Sequence, residues 1–108
     1  MKVFISQLMK DKTPDEISAQ RDAAIKNIIR MGDQSNTEMT IINSYFSDYD
    51  PNKDLPGVVS VPLAYLAESL KLLATADAAY FCEGWDKGRG TILEHEACKQ
   101  YGIRILCD

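Results

Sequence analysis

The chain has 108 residues, of which 45% are apolar, and carries a net charge of −4 from 12 basic and 16 acidic side chains. That length supports one domain with one core, spanning residues 1–108, and the apolar share is too high for a disordered chain. The acidic balance argues against nucleic acid as a partner, no apolar run is long enough to span a bilayer, and the first residues lack the apolar core of a secretory signal. Three cysteines without a CxxC pair argue against a disulfide scaffold or zinc ribbon and fit a reducing, cytoplasmic setting.

The first element is a strand over residues 2–6, a short β-branched and aromatic run. Thr13-Pro14-Asp15-Glu16 then predicts a helix start, with Thr13 as cap, Pro14 in the first turn and Glu16 closing a capping box. Ile17, Ala24, Ile25, Ile28 and Ile29 recur at helical spacing, and Gly32 is expected to stop the helix. A second strand centres on residues 39–42, within 37–46. Residues 47–60 are rich in Asp, Asn, Pro and Gly, a loop long enough to imply a task. Asp48, Asp50, Asn52 and Asp54 resemble half a calcium loop, but the required glycine and terminal glutamate are missing, so no metal is expected.

Ser60 and Pro62 open a second helix whose stripe of Leu63, Leu66, Ala67, Leu70, Leu73 and Ala74 is expected to face the core. Residues 78–82 read as a strand buried on both faces. A glycine-rich loop, 83–90, leads to a helix over about 91–101 that stops at Gly102, and 103–107 is the last strand. The order β-α-β-α-β-α-β predicts an α/β domain with a parallel sheet of about four strands and right-handed crossovers. So small a sheet leaves an edge or a helical face to cover, and a homo-oligomer is expected.

Ligands of open parallel sheets bind beyond the carboxyl ends of the strands. The segments there are 6–12, 43–50 and 82–91, the first and third facing each other across the crevice. In Gly84-Trp85-Asp86-Lys87-Gly88-Arg89-Gly90-Thr91 the glycines permit close backbone approach, and the following helix start favours an anion. Arg89 adds a forked donor, and Thr91 either caps the helix or binds an oxygen. The spacing fits neither a Walker A loop nor a dinucleotide fingerprint, and a plain flexible connector is the competing reading.

Glu94, four residues past Gly90, is a candidate nucleophile, base or acceptor of sugar hydroxyls. The alternative is an acid placed only to suit the helix dipole. His95 reads as structural or oligomer-facing, and Cys98 as packed on the sheet. Trp85 either stacks on a ligand or covers the site, or it simply packs. Tyr45, Phe46 and Tyr49 add aromatic surface after the second strand.

Taken together, Val3-Phe4-Ile5-Ser6-Gln7-Leu8-Met9, Ala76-Asp77-Ala78-Ala79-Tyr80-Phe81 and Gly84 through Glu96, followed by Tyr101-Gly102-Ile103, resemble the nucleoside 2-deoxyribosyltransferase-like proteins. More narrowly they resemble a small branch common in phages and bacteria. The resemblance runs over nearly the whole chain and is most specific in 76–102. It implies a Rossmann-like three-layer sandwich that takes nucleosides or nucleotides and needs no cofactor. It also implies a helix-borne glutamate, matching Glu94, that attacks the anomeric carbon and forms a glycosyl-enzyme.

Ser6 and Gln7 would then hold sugar or base, and Gly88, Arg89, Gly90 and Thr91 the 5′ phosphate, with Met9, Ser69, Gly84 and Trp85 also expected at the ligand. The family's enzymes carry an aspartate near the position of Ser69, with Glu68 beside it here. They often carry a tyrosine where this chain has Ser6 and Gln7. A transferase or hydrolase of the N-glycosidic bond is therefore one expectation. A phage-type protein that sequesters a nucleotide-derived signal, with Glu94 on ribose hydroxyls, is the other, and a regulatory oligomer with a relic pocket is a third.

Overall fold

The computed structural model describes residues 1–44 and 49–107. Four strands, β1 (Lys2–Ser6), β2 (Thr40–Ile41), β3 (Ala78–Phe81) and β4 (Arg104–Cys107), form one sheet in the order β2-β1-β3-β4. Every pair is parallel, with Val3 opposite Ile41 on one side and Ala78 on the other. Four helices connect the strands: α1 (Pro14–Ser35), the single turn α2 (Pro51–Asp54), α3 (Val61–Leu73) and α4 (Arg89–Tyr101).

Alternation along the strands builds two cores. Val3 and Ile5 of β1, with Tyr80 of β3, pack on Ala24 and Ile28 of α1. Phe4, Ala79 and Phe81 point the other way and meet Leu73 of α3 and Cys98 of α4. The result is a three-layer α/β sandwich of Rossmann-like type, with β1 and β3 in the middle and all of β3 buried, as a central strand should be. Among the described residues no helix is long and apolar enough to cross a membrane.

Several sequence-based expectations need correction. Gly32 does not end α1, which runs on to Ser35 and stops at Asn36 in the left-handed region (φ 56°). The Thr37 N–H donates to the Gly32 carbonyl and the Asn36 N–H to the Asp33 carbonyl, the paired bonds of a Schellman ending. Gly32 is needed for proximity instead: a Cβ there would lie 2.6 Å from both Met39 Cγ and the Thr37 carbonyl oxygen. The chain turns back across this glycine to reach β2, which keeps only two of the expected strand residues.

The stripe on α3 is also less buried than its spacing implies. Leu73 is buried and Leu66 and Leu70 are half-buried, but Ala67 and Ala74 are exposed and Leu63 is 61% exposed. On α1, Ile29 is half exposed while Ile28 is fully buried. Helical period alone marks a face wider than the one the sheet can cover. The 47–60 segment contains α2, capped by the Asp50 side chain, which accepts from the Asn52 N–H. The expectations for Tyr45, Phe46 and Asp48 fall outside the described residues. Tyr49 meets Tyr65 of α3 edge-on, and the Tyr65 hydroxyl donates to the Tyr49 carbonyl, so this loop is tied to α3.

Candidate functional site

A cavity of about 1120 Å³ opens at the carboxyl end of the sheet. Its walls come from the segment after β1 (Gln7, Leu8, Met9, Lys10), from Ile17 of α1, from Ser60 to Ser69 around α3, and from Lys87 to Glu94 at the start of α4. This is where a parallel sheet presents outward-turned strand ends and helix starts, and where a ligand finds free backbone donors.

Glu94 lies in the second turn of α4 with its side chain turned in against β1. It is 6% exposed and lines the cavity. Ser6, the last residue of β1 and buried, donates its hydroxyl to Glu94 Oε1 at 2.8 Å. Burial pushes the Glu94 carboxyl up to about 7, and the Ser6 hydrogen bond opposes that by favouring the ionised form. Burial outweighs one hydrogen bond, so the group sits near its midpoint at neutral pH. Such a carboxyl serves as nucleophile when ionised and as hydrogen-bond donor when protonated. A dipole role alone would leave the side chain at the surface of the first turn, as Glu16 is on α1.

The glycine loop is shaped by the chain itself. Gly84 adopts φ 96°, which a residue with a side chain rarely takes, and a 3₁₀ turn follows over Trp85–Lys87. Gly88 is the N-cap of α4 and supplies no side-chain cap. A Cβ on Gly88 would lie 2.6 Å from Thr91 Oγ1 and 2.7 Å from Leu8 Cδ1, so the loops after β1 and β3 meet at this point. Thr91 was an expected cap or ligand contact. Its hydroxyl lies instead against the Trp85 carbonyl and 3.0 Å from that of Gly88, so its proton closes the loop, although the residue still lines the cavity. The N–H groups of the first turn of α4 are left without a side-chain cap, the arrangement that favours an anion.

Three cations, Lys10, Lys87 and Arg89, line the same cavity, and none has a carboxylate partner among the described residues. In a chain of net charge −4 this is a local reversal of sign. Glu94 is the only carboxylic acid on the wall among the described residues.

Of the residues expected at the site, Gln7, Met9, Ser69, Gly88, Arg89, Gly90, Thr91 and Glu94 line one cavity. Ser6 touches it through Glu94. Gly84 and Trp85 do not line it. Trp85 stacks flat on His95 at 3.9 Å, and both rings meet Phe81, so the indole packs over the end of β3. Glu68 pairs with Lys71 at 3.3 Å along the helix and is not on the cavity wall.

Sequence reasoning placed the segments of Lys10 and Lys87 at the crevice without singling out either cation, and it missed Tyr65 on the wall. Among the described residues no group of three His, Cys, Asp or Glu side chains is placed to hold a metal ion.

No family model, no curated protein and no solved structure matches the chain.

Proposed function

We propose that the cavity binds a nucleoside or nucleotide in the cytoplasm, with the sugar against Glu94 and a phosphate against the start of α4. The observation that carries this reading is the Glu94 carboxyl, buried on the wall of an otherwise cationic cavity and held by Ser6 at 2.8 Å. The uncapped helix start with Arg89 and Lys87 suits an anion, and the carboxyl suits hydroxyls or a developing positive charge.

In the catalytic form of this reading, ionised Glu94 attacks the anomeric carbon. The C–N bond breaks as the C–O bond forms, the electron pair goes to the base nitrogen, and the base takes a proton from cavity water. Water, or the nitrogen of a second base, then takes the sugar from the glycosyl ester. The oxocarbenium-like transition state is stabilised by the carboxylate beside it. Turnover by this route rises with pH through about 7, as Glu94 ionises.

One observation favours a second reading. Glycosidic cleavage ordinarily uses two carboxyl groups, one to protonate the leaving group, and the described wall offers one. Ser69 of α3, near the position where the resemblance implies an aspartate, lines the cavity and is no acid. A protein that captures its nucleotide and releases it unchanged, with Glu94 on ribose hydroxyls, needs only that one.

Incubation of the chain with nucleosides and nucleoside 5′-monophosphates, read by chromatography, separates the two forms. Base release abolished in Glu94→Gln supports the enzyme, and intact ligand recovered from a stoichiometric complex supports the binder. Neither binding nor base release across the panel refutes both.

A further inference from the structure

Gln7, the residue after β1, is 7% exposed and lines the cavity, yet its side-chain oxygen has no hydrogen-bond partner among the described residues. Its amide orientation is fixed by its neighbours. Nε2 donates to the Ile17 carbonyl at 2.8 Å, and a carbonyl only accepts. Nε2 also donates to Gln20 Oε1 at 3.0 Å, and that oxygen accepts from Lys12 Nζ at 3.2 Å. The Gln20 amide nitrogen is committed in turn to the Glu83 carbonyl at 3.1 Å. Turning the Gln7 amide over would set its oxygen against two acceptors. Gln7 Oε1 is therefore held as a buried acceptor with no donor among the described residues.

Strand alternation places this group across the sheet edge from the chemistry. Ser6 faces α4 and Glu94, whereas Gln7 faces α1 through Ile17. A ligand with its sugar at Glu94 and its phosphate at the start of α4 has its base left to meet the opposite wall. We propose that Gln7 Oε1 accepts a hydrogen bond from an amino group on that base, so that the site selects nucleotides of amino-bearing bases. This rests on the nucleotide reading above. An acceptor already out of water discriminates because the amino group supplies the hydrogen bond it lacks, whereas the analogue without the N–H supplies none.

The test uses matched pairs that differ only in that group: AMP against nebularine 5′-monophosphate, and CMP against zebularine 5′-monophosphate, by calorimetric titration of the intact chain. At least ten-fold tighter binding of the amino-bearing member in one pair is expected. Less than ten-fold in both pairs overturns the role of Gln7 while leaving the nucleotide reading intact. Binding by none of the four overturns both. In Gln7→Met, checked for folding by circular dichroism, the preference should collapse to about unity, the amino-bearing member losing affinity towards that of its analogue. An undiminished preference there overturns the assignment. Should that variant not fold, the comparison on the native chain decides alone.

Discussion

α1 and α4 begin in opposite ways. At α1 the Thr13 hydroxyl accepts from the Glu16 N–H and the Glu16 carboxylate accepts from the Thr13 N–H, both at 3.1 Å, so the chain caps itself. At α4 a glycine stands in the capping place and no side chain serves. Each helix also carries a glutamate near its start, with contrary fates. Glu16 is exposed, and its hydrogen bonds to Thr13 hold its carboxyl below the usual range. Glu94 is buried, and desolvation pushes its carboxyl up to about 7. Where a helix is only structural, the chain closes its own polar groups. Where the cavity lies, it leaves donors open and an acid out of water, and both cost stability unless a ligand offsets them.

The largest effect separating the two helices is expected from Glu94→Gln. The folded state prefers the neutral acid, so the contribution of Glu94 to stability is complete below about pH 4.5, falls as pH rises towards 7, and is flat beyond. Removing the ionisation should leave stability nearly unchanged at pH 4 and raise it at pH 8 by up to about 3 kcal/mol. Urea unfolding at the two pH values checks this, and equal effects at both would break the contrast with α1.

At the other end of α1, Gly32→Ala drives a methyl into Met39 and the Thr37 carbonyl, and a cost of about 2 kcal/mol is expected by the same measurement. Thr13→Ala removes the self-cap and should cost about 1 kcal/mol in thermal unfolding. Arg89→Ala, at the exposed start of α4, should change stability by less than about 0.5 kcal/mol. It should nonetheless weaken binding of a nucleoside 5′-monophosphate more than that of the matching nucleoside, a difference that titration of the two ligands reads directly.

The sequence carried the fold plainly where local chemistry and tertiary need agree. The Thr13–Glu16 box, the Ser60 cap with Pro62, the helix stop at Gly102 and the all-apolar β3 are local signals, and each stands where it was read except that β3 ends at Phe81, one residue short of Cys82. Gly32 misled because close approach and helix termination both call for glycine, and only the return of 37–39 distinguishes them. Leu63 and Ala67 misled because periodicity reports which face is apolar, not how much of it a four-stranded sheet can cover.

At the site, the spacing from Gly90 to Glu94 was visible, but the hydroxyl that holds the buried carboxyl belongs to Ser6, 88 residues away in the chain. The indole of Trp85 drew a ligand reading from its loop position, and its stack on His95 is a tertiary fact that no spacing encodes.

The most direct measurement is a carbon-detected NMR titration of the side-chain carboxyls of Glu94 and Glu16, with and without a nucleoside 5′-monophosphate. The account predicts a free Glu94 midpoint near 7 and a saturable displacement of its resonance by the nucleotide, with Glu16 titrating below the usual range and unmoved. A Glu94 that titrates near 4.5 and ignores the nucleotide would contradict it.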